Sequence, residues 1–133
     1  MEWDTIYKSI IIMEITSEII TINKILNEYK SDKARIWIFD ISHVKIGIKI
    51  YSNKAEEQLY LVAAGCIYIK GFFSLYNPKL SVAQHFDNEI SGIVFKINDR
   101  NSDFELIATS GVALAKGLET EFGDSFEGFI QEK

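Results

Sequence analysis

One short string in this sequence combines an imidazole with two carboxylates: His85-Phe86-Asp87-Asn88-Glu89. In a fully extended chain alternate side chains point to the same side, so His85, Asp87 and Glu89 would face one way. An imidazole beside two carboxylates suits a divalent metal or a general-base relay. A strand that ends at Phe86, followed by a turn, is the simpler interpretation because Asp and Asn favour turns. His85 and Asp87 are therefore candidates only as polar residues of an alternative pocket, and we predict no metal site.

The second histidine, His43, follows closely after Asp40. If the stretch between them forms a hairpin turn, the Asp40 carboxylate can approach the imidazole. A neighbouring carboxylate orients an imidazole and fixes its tautomer, as catalytic pairs require. No nucleophile is specified nearby except Ser42, so a structural turn is favoured. Asp40 and His43 are the other two candidates for the alternative pocket.

Asp99, Asn101 and Asp103 match the opening of a calcium-binding loop. Phe104 stands where that loop needs a glycine, and Ser110 stands where it needs a bidentate acid, so the pattern fails and residues 98–103 predict a hairpin turn. The sequence also lacks glycine-rich phosphate loops, paired-cysteine motifs and the short signatures of serine hydrolases and zinc proteases. We predict no cofactor.

The segment Gly71-Phe72-Phe73-Ser74-Leu75-Tyr76-Asn77-Pro78 places three large aromatic rings next to a proline turn. Aromatic side chains usually pack in cores because they bury the most area. Rings beside a turn can instead be exposed, and exposed aromatic clusters mark contact surfaces. Both interpretations stay open here. Phe72, Phe73 and Tyr76 are the candidate partner-binding residues.

The composition is typical of one folded domain: 133 residues, 47% hydrophobic, 25% charged and one proline. We predict a single domain over residues 1–133. The net charge of −5 and the absence of any Lys or Arg run disfavour nucleic acids and anionic membranes as partners. The lone Cys66 lies among apolar residues, which favours a buried thiol in a reducing compartment. The apolar run at residues 10–13 is too short for a secretion signal or a membrane span, so we expect a cytoplasmic protein.

Apolar residues recur at helical spacing early in the chain: Ile15, Ile19, Ile22, Leu26 and Tyr29. This spacing lines one face of a helix, which we predict over residues 17–30. Thr16 is the predicted N-cap, with Ile15 and Ile20 placed to form a hydrophobic staple across it. Residues 6–15 are predicted to form a strand.

From residue 34 onward the apolar residues mostly alternate, as in β-strands. In the clearest strand, residues 44–51, Ile46 and its alternate neighbours share one face, while Lys45 and Lys49 are expected on a partly solvated face. An earlier strand is predicted to carry Trp37, Phe39 and Ile41 on one face, and Ile36 and Ile38 on the other. Residues 57–70 predict two strands with a break at 64–65. Further strands are predicted at residues 80–86, 93–97 and 104–108, and residues 112–122 fit either a strand or a helical face.

Short turns between successive strands favour antiparallel pairing. We therefore predict an α+β fold, mainly antiparallel β in a curved sheet or open barrel, with one early amphipathic helix. The acidity, the aromatic segment and the lack of catalytic motifs lead us to expect a non-enzymatic protein-interaction module of the immunity- or accessory-protein type. Its protein partner and oligomeric state are not specified by the sequence. The alternative is a small-molecule-binding or hydrolytic domain with a pocket in the curved sheet.

Overall fold

The computed structural model describes residues 14–42 and 44–118. This part of the chain contains one helix, α1 (Ile19–Glu28), and eight strands, β1 (Glu14–Thr16), β2 (Lys33–Asp40), β3 (Lys45–Tyr51), β4 (Glu57–Lys70), β5 (Ser74–Tyr76), β6 (Leu80–Asp87), β7 (Gly92–Asp99) and β8 (Glu105–Leu118). The strands pair antiparallel in one curled half-barrel sheet of order β5-β2-β3-β4-β8-β7-β6, with β1 paired to β8. The predicted α+β fold with a curved antiparallel sheet and one early helix is confirmed.

The curvature of the sheet arises in the long ladder between β4 and β8. The register shifts between Ala64 and Cys66, and Gly65 there has a positive φ of 71°. A Cβ at Gly65 would approach Ser110 Oγ to 2.5 Å, so the bulge requires glycine. The predicted break at residues 64–65 is therefore a bend within one continuous strand. Residues before the bend pair with β3 on the other edge of β4, and β8 pairs with β7 beyond it.

Helix α1 packs against the core of the sheet through the face that the spacing predicted. Ile22 is fully buried, and Ile19, Ile25, Leu26 and Tyr29 pack against the core. The predicted helix start is wrong, because α1 begins at Ile19 with Glu18 in the N-cap position. Thr16 Oγ1 accepts a hydrogen bond from the Glu18 N–H before the helix begins. Ile15 and Ile20 are both exposed, so no buried staple forms.

A bulge at Trp37 changes the predicted faces of β2. Ile36 lies opposite Ile48, whereas Ile38 lies opposite Gly47, so the two isoleucines fall on opposite faces. Ile36 packs against the main core, while Trp37 and Ile38 pack against a second cluster formed by Tyr60, Val62 and Ala115. The predicted common face for Ile36 and Ile38 is therefore wrong, because one extra residue reverses the alternation that follows it.

The predicted solvation of Lys45 and Lys49 is also wrong. Ile46, Ile48 and Ile50 lie in the core as expected, but Lys45 and Lys49 are only 6% and 8% exposed. Lys49 Nζ lies 5.7 Å from the centroid of the Tyr60 ring. The Trp37 ring meets Tyr60 edge-on, with centroids 4.6 Å apart. Lysine stems and aromatic faces pack together in this way because each combines apolar area with an electrostatic attraction.

The other strand and turn predictions agree with the structure where the residues are described. Residues 112–118 continue β8 as a strand, so the helical alternative for them is excluded. The turns after β2, β5, β6 and β7 fall where the sequence predicted them, with β6 ending at Asp87 and β7 at Asp99. The predicted strand at residues 6–13, and residues 119–122 of the predicted strand or helix, lie outside the described residues. The described chain has no helix that is long and apolar enough to cross a membrane.

Candidate functional site

The three candidate aromatic residues lie at the surface. Phe72, Phe73 and Tyr76 are 79%, 75% and 69% exposed, respectively. Strand β5 pairs with the first residues of β2, and its alternation sends Leu75 into the core and Tyr76 outward. Core packing therefore does not explain this aromatic segment, because only Leu75 fills the core.

The backbone around Phe72 and Phe73 is held in place on both sides. Phe73 O accepts a hydrogen bond from the Ile36 N–H at 2.9 Å. Gly71 has a φ of 124°, and a Cβ there would lie 2.9 Å from Phe104 Cα. Only glycine lets the chain leave β4 this close to Phe104, which is itself buried. The two phenyl rings are thus presented by a fixed backbone.

More exposed apolar side chains precede these rings in the chain. We define the apolar surface as Ile67, Tyr68, Ile69, Phe72 and Phe73, all of which are exposed. Val44 O accepts a hydrogen bond from the Cys66 N–H at 3.0 Å, which attaches the β2–β3 hairpin beside this surface. That hairpin carries three further exposed apolar residues, Phe39, Ile41 and Val44. Large apolar side chains therefore collect at one end of the sheet.

The apolar surface includes a free edge of the sheet. Strand β3 pairs with β4 only as far as Ala64, because β3 begins at Lys45. Beyond that point residues 68–70 pair with β8 on one side, and no described strand pairs with their other side. The backbone groups of such an edge are available to another extended chain.

Cations flank these aromatic residues. Lys33 Nζ lies 5.3 Å from the centroid of the Tyr76 ring. Arg35 is exposed opposite Ser74, and Lys70 is exposed at the end of β4. A shallow depression of about 470 Å³ lies beside Phe72 and also contains Asp103. Three cations therefore lie near the rings, together with Asp103 and with Glu105, which lies opposite Lys70 in the ladder between β4 and β8.

Two of the alternative pocket residues stabilise turns. Asp40 Oδ1 accepts a hydrogen bond from the Ser42 N–H at 3.0 Å. Asp87 Oδ1 accepts from the N–H groups of Glu89 and Ile90 at 2.9 and 3.0 Å. Because the chain turns after Asp87, the stretch from His85 to Glu89 is not fully extended. Both carboxylates have the local role that Asp commonly plays at the start of a turn.

The structure does not bring the alternative pocket residues into a described groove. His85 is exposed on β6, whereas Asp40 ends β2. Four strands, β3, β4, β8 and β7, lie between β2 and β6 in the sheet. Asp40, His85 and Asp87 line neither the depression beside Phe72 nor the groove between α1 and the turns after β5 and β7. His43 lies outside the described residues. Within the part of the chain that is described, no three His, Cys, Asp or Glu residues are placed to hold a metal ion.

The larger groove was not predicted from the sequence. It has a volume of about 720 Å³ and lies between α1 and the turns that follow β5 and β7. Four cations line it: Lys24, Lys30, Lys79 and Arg100. They come from three separate segments, so no run of basic residues marks the groove in the sequence. A cluster of this kind becomes visible only when the fold is known.

The sequence predicted a buried thiol, whereas Cys66 is half-buried at the edge of the core. Its Sγ donates to Ala63 O at 3.4 Å. Burial raises the pKa of the thiol to about 11, against which a backbone hydrogen bond from Ile46 acts. The thiol is therefore protonated at neutral pH, which makes it a poor nucleophile.

Comparisons of this chain with models of protein families, with curated proteins and with solved structures find no match.

Proposed function

We propose that this protein is a non-enzymatic protein-interaction module that binds a protein partner through the apolar surface. One observation carries the proposal: five large apolar side chains are exposed within residues 67–73, on a backbone fixed by the sheet. Exposed apolar side chains in this number within seven residues are uncommon on a monomer unless they serve recognition. Binding through such a surface requires neither a catalytic residue nor a cofactor.

Phe72 and Phe73 are the proposed anchors of the contact. A buried aromatic ring removes about 150–250 Å² from water, more than most other side chains. Anchors of this type dominate binding energies when they fill a pocket on the partner and when their own backbone is already ordered. The Ile36 hydrogen bond to Phe73 O and the close packing of Gly71 on Phe104 supply that order.

The cations beside the rings indicate what the partner presents. Lys33, Arg35 and Lys70 surround the aromatic segment, so carboxylates around an apolar pocket would complement it. Charges at the rim of an interface mainly accelerate association and select orientation. We therefore propose a partner surface with an apolar centre and an acidic rim.

The free edge of β4 adds a backbone component to the same contact. An extended partner segment can pair with residues 68–70, which have no described strand on that side. In this mode main-chain hydrogen bonds supply affinity and the neighbouring side chains supply specificity. Ile67 and Ile69 would then contact the partner next to the two phenyl rings.

The proposal is tested by gentle capture of the tagged protein from its own host, followed by native mass spectrometry. We expect wild type to retain a protein partner in fixed stoichiometry. The double variant Phe72→Ala/Phe73→Ala should lose it with an unchanged circular dichroism spectrum. Ile20→Ala is the matched control, because Ile20 is equally exposed at 79% but lies on α1. The control should retain the partner.

Two results would contradict this function. The first is that the double variant and the Ile20→Ala control retain the same partner equally well. The second is that the folded wild type captures no protein, while size-exclusion chromatography with light scattering shows a monomer at all concentrations. A concentration-dependent dimer that the double variant abolishes would identify the partner as a second copy of this chain.

A further inference from the structure

The groove between α1 and the turns after β5 and β7 is positively charged, whereas the whole chain is negatively charged. Its lining includes four cations, Lys24, Lys30, Lys79 and Arg100, and no Asp or Glu. The chain as a whole has 19 acidic residues and a net charge of −5. None of these four cations forms an ion pair with another described residue. Uncompensated positive charge in a concave site raises the local concentration of anions.

The walls of the groove are joined by hydrogen bonds between distant segments. Ser31 Oγ, just after α1, donates to Pro78 O at 3.2 Å. Asn101 Nδ2 donates to Asn77 O at 2.7 Å, and the Arg100 N–H donates to Lys79 O at 3.0 Å. These contacts connect the exit of α1, the turn before β6 and the turn after β7. The cations are therefore mounted on an ordered scaffold, which lowers the entropic cost of binding.

One carboxylate lies beneath the groove, but it is directed into the turn. Asp99 is 4% exposed, and its Oδ1 accepts from the Lys79 N–H at 2.7 Å and the Asn101 N–H at 3.1 Å. Its Oδ2 accepts from Ser102 Oγ at 2.6 Å. The carboxylate is thus committed to three donors of the protein and shapes the groove from below.

We infer that this groove binds a small organic molecule that carries phosphate groups. Its volume of about 720 Å³ lies in the range of small-molecule sites, which is about 300–1,000 Å³. Lysine and arginine side chains are the usual phosphate ligands. Four apolar residues, Ile20, Leu26, Pro78 and Leu80, line the same groove and suit the organic part of the ligand.

A long nucleic-acid strand fits this site less well than a small ligand does. Strand-binding proteins carry a positive stripe that follows many phosphates. Here the cations share one short groove, and the rest of the chain has an excess of acids. The groove also contains no residue of the apolar surface. The inference therefore does not depend on the proposed protein partner.

Isothermal titration calorimetry with two probes, ADP and inorganic phosphate, tests the inference on the full chain. We expect ADP to bind with 1:1 stoichiometry, more tightly than inorganic phosphate, and more weakly as NaCl is raised. Lys79→Gln and Arg100→Gln should each weaken ADP binding at least five-fold. Lys54→Gln is the matched control, because Lys54 is exposed in the β3–β4 turn outside the groove, and it should change binding less than two-fold.

Three results would overturn the inference. The first is no heat of binding for either probe at a concentration of several millimolar. The second is an equal loss of ADP binding in Lys54→Gln and the groove variants, which would indicate diffuse surface attraction. The third is a single-stranded oligonucleotide that binds far more tightly than ADP and occupies a longer site, which would assign the cations to a nucleic-acid strand.

Discussion

Asn23 of α1 binds Val82 of β6 through both atoms of its side-chain amide. Nδ2 donates to Val82 O and Oδ1 accepts from the Val82 N–H, each at 2.8 Å. Strand β6 ends the sheet order, so the amide takes the place that a neighbouring strand would fill. This pair fastens the helix to the sheet and covers an edge position that would otherwise lack a backbone partner. It also places the neighbouring helix residues at the groove between α1 and the turns after β5 and β7.

We predict that Asn23→Ala lowers the free energy of unfolding by about 1–3 kcal/mol, because Val82 is buried and both its backbone groups lose their partner. Urea unfolding followed by circular dichroism measures the change. Asn27→Ala on the same helix is the control, since Asn27 is exposed and its side chain makes no hydrogen bond with another described residue. Both variants gain the same helix propensity, so their difference isolates the Val82 pair. Equal effects would show that the pair contributes nothing.

The sequence was sufficient for those parts of the fold that depend on regular spacing. The spacing predicts one helix face that includes Ile22 and one strand face that carries the isoleucines of β3, because a helix repeats every 3.6 residues and a strand every two. Both faces lie in the core. The rule of strict alternation fails at Trp37, because a bulge adds one residue to the strand and no local sequence pattern predicts the bulge. It also failed for Lys49, because alternation separates two faces but does not show that an aromatic ring such as Tyr60 covers the second face.

The candidate sites divide in the same way. Phe72 and Phe73 are recognisable in the sequence because they are aromatic residues next to a proline turn, which is a local feature. Both are exposed in the structure. The groove lined by the four cations has no such local feature. Lys24 and Arg100 are far apart in the chain, and only the pairing of β6 with β7 and the docking of α1 bring them to one groove. Contacts between residues far apart in the chain produce no periodic pattern in the sequence, so the groove could not be predicted from it.

Asp99 organises the turn that carries Arg100 and Asn101. We predict that Asp99→Ala lowers the free energy of unfolding by about 2–3 kcal/mol, because the Lys79 N–H loses a charged acceptor at a part-buried position. Thermal and urea unfolding measure it. Asp103→Ala in the same turn is the control, since Asp103 is exposed, and it should change stability by less than about 0.5 kcal/mol. A loss in both variants of the same size would mean that turn propensity, not the Asp99 hydrogen bonds, holds the turn.

The Cys66 thiol should react slowly with disulfide reagents in the folded protein. Burial raises its pKa from 9.0 to about 11, so little thiolate is present at pH 8. We expect a rate with an aromatic disulfide at least ten-fold below that of the same protein unfolded in urea. Raising the pH from 8 toward 10 should increase the folded rate about ten-fold per pH unit. A folded rate that already levels off near pH 9 would contradict the raised pKa.

Tyr29 should make folding stability fall in alkali. Its hydroxyl donates to Glu57 O at 2.7 Å. Burial of the phenol is the main reason that its pKa is raised from 10.0 to about 12. A backbone hydrogen bond from Ser52 lowers the pKa, and the nearby carboxylates of Asp32 and Glu57 raise it further. The folded state therefore holds the proton more tightly than the unfolded state does. The resulting stability is complete below pH 10 and is lost as the pH rises from 10 through 12.

We predict that Tyr29→Phe lowers the free energy of unfolding at pH 8 by about 1 kcal/mol, because the hydrogen bond to Glu57 O is lost. Above pH 10 the stability of the variant should fall less steeply than that of wild type. Urea unfolding at a series of pH values measures both effects, and the difference in alkaline absorbance between wild type and Tyr29→Phe reports the Tyr29 phenolate. Tyr76→Phe is the control, because that ring is exposed and its pH profile should follow wild type. If wild type and Tyr29→Phe gave parallel profiles, the Tyr29 proton would not be linked to folding.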